Sequence, residues 1–304
     1  MKKIAVLFAG QGAQFPGMGK DFYDSYPKSK KIYDFAEDVR SLCFEGTEEL
    51  LGRTEHTQPC VYTTSMAIWA AVQDVLEENH CAAQGMAGFS LGECSAVTAA
   101  GLFPFETGLT FVRDRARWMA EDAGGRGGMC AVMGDVAVVE QLAREASVCG
   151  MVLPVNYNCP KQTVVSADLL GMERFLALCG SHKLRAVPLR VSGPFHSPIL
   201  APAADKLRGL LGALPLEKMR CPVYGNLDGT PHTADTVVER LSAQVMSPVR
   251  WETTIRNMLA DGMDFFLEIG PGKTLTGLMK KIKPDVTALS MDSVGALEIL
   301  KQQI

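Results

Sequence analysis

The sequence predicts an α/β fold in which one large domain is interrupted by a small four-stranded insert. Three observations predict it. The chain opens with a short continuous apolar run, Ile4 to Ala9, ended by Gly10, as a buried strand of a parallel sheet would be. A glycine cluster, Gly124-Gly125-Arg126-Gly127-Gly128, then interrupts the helical pattern, because so many glycines are costly inside a helix or a strand. Behind that cluster the elements fall in the order β-α-β-β-α-β, before a helix-rich α/β pattern resumes at Pro194.

Each element has its own signal. Met1-Lys2-Lys3 ahead of the first strand faintly resembles a secretion signal. The apolar run is short, however, and gives way to Gly10-Gln11-Gly12-Ala13-Gln14 without a convincing cleavage site. An apolar-rich helix follows the Thr57-Gln58-Pro59 break and runs to about Glu78. Met86 to Gly88 leads into Ser90, Leu91 to Ala100 reads as a helix of small residues, and an amphipathic helix covers Phe105 to Glu121. Past the glycines come strands at Met129 to Met133, Val152 to Asn158, Gln162 to Ala167 and Ala186 to Val191. Helices at Val136 to Ser147 and Leu169 to Ser181 separate them. That order is the split βαβ arrangement of a ferredoxin-like unit. Asp264 to Ile269 is a late strand. The expected division is a core of residues 1–124 and 192–304 with an insert of residues 125–191.

Composition narrows the function. A chain of 304 residues, 47% hydrophobic and 21% charged, has ordinary globular proportions. Its net charge of −4 argues against a general nucleic-acid binder, which needs a basic surplus. No run reaches the length of a membrane span. The basic runs Arg113, Arg115, Arg117 and Lys280, Lys281, Lys283 read first as solvated helix faces, although they could meet an acidic partner. The nine cysteines are odd in number and include no C-x-x-C pair, a pattern that suits reduced thiols in a cytoplasm. The five histidines sit at no ligand spacing, so no metal is implied.

Gly88-Phe89-Ser90-Leu91-Gly92 is a G-x-S-x-G run between a strand and a helix. There a serine hydroxyl stands exposed on a tight turn, and the helix beginning at Leu91 aims its free N–H groups at a nascent oxyanion. The alternative is a packing pair of glycines with an incidental N-cap serine. A nucleophilic serine needs a base. His196, in the turn-rich Ser192-Gly193-Pro194-Phe195-His196-Ser197-Pro198, is the best candidate, whereas His56, His80, His182 and His232 have polar neighbours and read as surface residues. An ordinary esterase places an acid before a C-terminal histidine. Here about a hundred residues follow His196, and no acid stands out. Two glycine motifs are decoys. Gly10-Gln11-Gly12 lacks the third dinucleotide glycine, since Phe15 stands there, and Gly270-Pro271-Gly272-Lys273-Thr274 lacks the first P-loop glycine, since Leu267 stands there.

Taken together, these runs resemble the malonyl-CoA:acyl carrier protein transacylase family over essentially the whole chain. The matching pieces are Phe8 to Gln14, Thr57-Gln58-Pro59, Gly88 to Glu93, Arg115 with Met119, and Asn156 to Gln162. They continue with Gly193 to Ser197, Pro248-Val249-Arg250-Trp251 and Glu268 to Gly272. The resemblance implies an α/β-hydrolase-like core with a ferredoxin-like insert. It makes Ser90 the nucleophile, His196 the base, and the backbone N–H groups of Gln11 and Leu91 the oxyanion hole. Arg115 would grip the malonyl carboxylate, Phe195 would line the acyl pocket, and the backbone carbonyl of Arg250 would orient the histidine in place of an acid. The reaction would carry malonyl from malonyl-CoA to the phosphopantetheine thiol of acyl carrier protein, ping-pong, without cofactor or metal, in a cytoplasmic monomer supplying fatty acid synthesis. Two positions depart from many relatives: Phe89 stands where histidine is frequent, and Ala120 where glutamine often follows the methionine. Rival readings are a malonyl acyltransferase of a polyketide synthase, an acyl-thioester hydrolase, and a non-catalytic carrier-binding module.

Overall fold

The computed structural model describes residues 2–304. Among these residues nine strands form two sheets. Strands β1 (Ile4–Phe8), β2 (Ala83–Gly88), β7 (Val223–Tyr224), β8 (Phe265–Ile269) and β9 (Thr287–Met291) make an all-parallel sheet in the order β7-β2-β1-β8-β9. Every residue of β1 and of β8 is buried, as expected where helices cover both faces of a parallel sheet; β1 is an unbroken apolar run, whereas β8 is apolar except for the buried Glu268. Strands β3 (Gly127–Met133), β4 (Val152–Cys159), β5 (Gln162–Asp168) and β6 (Arg185–Pro188) make an antiparallel sheet in the order β4-β5-β3-β6. The helices Val136–Ala146 and Leu169–Ser181 pack on it around Val139, Leu142, Val165 and Phe175.

The parallel sheet grows from β1 through β2 to β7 on one side, then resumes with β8 and β9 on the other. Ligands in open α/β sheets bind outside the carboxyl ends of strands where the order reverses in this way. Here that crevice lies between Phe8, Gly88 and Ile269, which pair across the ends of β1, β2 and β8. The antiparallel sheet closes over it through β4. Val249 N–H donates to Val155 O at 2.7 Å, and Tyr157 N–H donates to Val249 O at 2.9 Å.

Three expectations are corrected. The long helix begins at Thr54, not after Pro59, and runs to Glu78 with the proline inside it. Pro59 forfeits a bond to the carbonyl of Glu55, and that loss is tolerated because Glu55 is exposed on the first turns, where water can replace the donor. The last strand of the insert stops at Pro188 instead of Val191: Leu189 N–H still donates to Met129 O at 2.9 Å, after which Arg190 and Val191 leave the sheet and line the cleft. Gly127 and Gly128 belong to β3. Gly127 has φ +152°, and a Cβ there would lie 2.0 Å from the carbonyl oxygen of Ala167, so only glycine fits that start.

Candidate active site

Ser90 sits between the end of β2 and the helix Leu91–Ala100, in the left-handed half of backbone space with φ 52° and ψ −105°. The turn is this tight because the helix lies almost on the strands. A Cβ on Gly88 would come within 1.8 Å of the Gly92 carbonyl carbon, and one on Gly92 within 2.1 Å of Phe8 O. Asn226 fixes the turn from the side. Its Oδ1 accepts from Ser90 N–H at 2.7 Å, and its Nδ2 donates to Gly88 O at 2.7 Å.

The proton inventory around Ser90 Oγ follows from chemistry alone. Arg115 can only donate, and its Nη2 lies 3.2 Å from Ser90 Oγ. Ser90 Oγ lies 2.8 Å from His196 Nε2. His196 Nδ1 faces two carbonyls, Gln244 O at 3.0 Å and Ser247 O at 3.2 Å, so Nδ1 carries the proton and Nε2 accepts from the serine. The imidazole is therefore set to receive the serine proton. Its basic form persists far into acid: burial, then the charge of Arg115, push His196 down to about 4 against the pull of the two carbonyls.

That depression has a sign. With a folded value near 4 and an ordinary value of 6.5, the unfolded chain binds the extra proton between those limits, so stability falls as pH drops through that window. The loss is on the order of 3 kcal/mol from this group alone. Single-turnover acylation is expected to keep its rate from neutrality to about pH 5 and to halve near pH 4. A pH profile of acyl-CoA kcat/KM with an acid limb at 6 to 7 would contradict this environment for His196.

Arg115 is 1% exposed, unlike its exposed neighbours Arg113 and Arg117. Only neutral acceptors hold it: Gln58 Oε1 at 2.6 Å, Gln244 Oε1 at 2.8 Å and Ser90 Oγ. Its Nε has no partner among the described residues, and burial disfavours its charge. The backbone N–H groups of Gln11 and Leu91 likewise make no hydrogen bond among the described residues. Phe195, 4% exposed, Phe89 and Met119 line the adjoining cleft of about 820 Å³, whose mouth carries the exposed Arg190, Lys273 and Lys281.

The structure thus brings Ser90, His196, Arg115, Gln11, Leu91 and Phe195 to one place, and it corrects Arg250. That residue is the N-cap of the helix Trp251–Ala260. Its carbonyl is taken by Thr254 N–H at 3.0 Å, while the carbonyls facing the histidine are those of Gln244 and Ser247. His232 is no surface residue either: it is 6% exposed, with Nε2 2.7 Å from Glu93 Oε1. At the glycine motif before the helix Thr274–Ile282, the N–H groups of the helix start are already used: the Glu268 carboxylate accepts from Leu275 and Thr276 N–H at 2.9 and 2.7 Å. Sequence reasoning missed Glu93, Asn226 and Gln244. Glu93 had a signal, as the lone charge in a helix of small residues. Asn226 and Gln244 had none.

The acyl transferase domain model matches residues 6–296. Malonyl CoA-acyl carrier protein transacylase of Bacillus subtilis is 38% identical over 314 residues, spanning 100% of this chain and 98% of the relative. The crystal structure of malonyl CoA-acyl carrier protein transacylase from Clostridium perfringens has a TM-score of 0.92 at 38% identity, covering 99% of this chain and 96% of that one. A malonyl-transacylase structure in complex with its type II PKS acyl-carrier protein gives 0.94 at 33% identity, covering 100% of both chains. The chain belongs to the acyl transferase family, among its malonyl CoA-acyl carrier protein transacylases.

Proposed function

We propose that this protein transfers malonyl from malonyl-CoA to the phosphopantetheine thiol of acyl carrier protein through an ester on Ser90. The observation that carries the reading is the buried Arg115 fork 3.2 Å from Ser90 Oγ, a cation held only by neutral groups beside a serine paired with a neutral histidine. His196 takes the serine proton as Oγ attacks the thioester carbonyl. The N–H groups of Gln11 and Leu91 then receive the oxyanion, and one such donor contributes roughly 3–4 kcal/mol. The carbon–sulfur bond breaks, and coenzyme A leaves as the thiol with the proton from His196. The carrier thiol next gives its proton to His196 and attacks the ester, and Ser90 leaves with that proton. Arg190, Lys273 and Lys281 put positive charge at the cleft mouth, where the phosphates of coenzyme A would enter.

In this reading the parallel sheet belongs to an α/β-hydrolase-like core, residues 1–124 and 192–304, and the antiparallel sheet to a ferredoxin-like insert, residues 125–191. The support is the β4-β5-β3-β6 order with both helices of that segment packed on the sheet. One chain carries every group the chemistry uses, so a monomer suffices. No cofactor or metal has a step in it. The nine free cysteines suit a reducing cytoplasm, where the product would supply fatty acid synthesis.

Intact mass after mixing with malonyl-CoA tests the proposal. A malonyl adduct discharged by holo carrier protein is the expected result. An adduct that passes only to water would instead assign an acyl-thioester hydrolase.

A further inference from the structure

Behind the serine lies a fully buried pair that the chemistry above does not use. Glu93 and His232 have side chains with no exposed surface and meet at 2.7 Å. Glu93 is the third residue of the helix Leu91–Ala100, where the helix N-terminus favours a carboxylate. Its other oxygen, Oε2, accepts from Asn226 N–H at 3.0 Å and from Gln244 Nε2 at 2.8 Å. The same Nε2 donates to Ser90 O at 2.8 Å, while Gln244 Oε1 accepts from Arg115 Nη2 at 2.8 Å.

The amide of Gln244 is thus read from both ends. Arg115 has donors only, so the atom facing it must be oxygen, and the carboxylate of Glu93 and the carbonyl of Ser90 accept only, so the other end must be NH₂. The amide dipole lies between a buried anion and a buried cation that do not touch. We propose that Glu93 is a positioning residue for acyl selection: through Gln244 it aims the guanidinium of Arg115 at the carboxylate of the incoming acyl group. Glutamine at position 93 could face Gln244 with either oxygen or NH₂, and one of the three constraints on the amide would be gone. This inference rests on the reading of Arg115 as the carboxylate ligand.

The test is single-turnover loading of Ser90 from malonyl-CoA and from acetyl-CoA, followed by intact mass. It compares the wild-type chain with Glu93→Gln, Gln244→Met, their combination and Arg115→Ala. Glu93→Gln is expected to lower the malonyl-to-acetyl ratio on the order of tenfold. Gln244→Met should lower it at least as much, and the double variant should match Gln244→Met alone. A residue that served only the fold would depress both acyl groups together and leave the ratio unmoved. An unchanged ratio in Glu93→Gln, or losses that multiply in the double variant, would overturn the proposal. If the Glu93→Gln chain does not fold, Gln244→Met decides by itself, since an unchanged ratio there removes the relay. The Arg115→Ala arm separates the two readings. A ratio kept in Arg115→Ala rejects Arg115 as the ligand, whereas one lost there but kept in Glu93→Gln rejects only the relay.

Discussion

Replacing Ser90 with alanine is expected to remove the acyl adduct and to lower transfer to carrier protein roughly a hundred-thousandfold to a millionfold. His196→Ala should cost nearly as much, and the double variant no more than either alone, because base and nucleophile act as one unit across their 2.8 Å bond. What survives would come from the oxyanion donors and from binding. Ser90→Gly is the sharper control. Ser90 holds a φ of 52°, a conformation that costs a non-glycine residue about 1–3 kcal/mol and that clusters at functional sites. Glycine relieves it, so the variant should lose the adduct and yet unfold at a higher temperature, by calorimetry. Loss of both activity and stability would mean that the turn is held by the serine side chain instead of by Asn226 and the Gly88–Gly92 contact.

How much of this was legible in the chain depends on whether a signal was local. The strand–turn–helix around Ser90 is written in consecutive residues, and the helices Leu91–Ala100 and Leu169–Ser181 have the bounds that their pattern predicts. The order of the insert was equally readable, because the hydrophobic period switches from strand to helix within a few residues. Arg115 was not readable from pattern. It sits between two exposed arginines on an amphipathic helix, and only the resemblance separated it from them. Gln244 lies on a short 3₁₀ turn 154 residues from the serine it touches, and nothing local marks it. The misplaced Arg250 carbonyl is a matter of a few residues in a segment whose path is set by long-range contacts with β4. His232 misled because polar neighbours in sequence say nothing of Glu93, 139 residues away.

Arg115 carries the second large prediction. In the resting site its guanidinium is desolvated and, among the described residues, bound to amide and hydroxyl oxygens alone with Nε unpartnered, so its interaction with a carboxylate is held in reserve. A malonyl group meets that reserve with a planar fork, and an acetyl group leaves the buried charge as it was. Arg115→Ala is therefore expected to cut malonyl loading by roughly 3–4 kcal/mol, about two to three orders of magnitude, while acetyl loading rises. Arg115→Lys should fall between, since an ammonium keeps the charge but cannot pair in two parallel bonds. Arg115→Met adds a stability test. It fills much of the same volume without the desolvated charge, so its denaturant midpoint should not fall much below that of the parent and can exceed it. Competition between malonyl-CoA and acetyl-CoA, read as the two adduct masses on Ser90, measures all three variants at once. Equal loss of both adducts in Arg115→Ala would mean that the arginine serves the serine hydroxyl it touches, at 3.2 Å, and not the carboxylate of the acyl group.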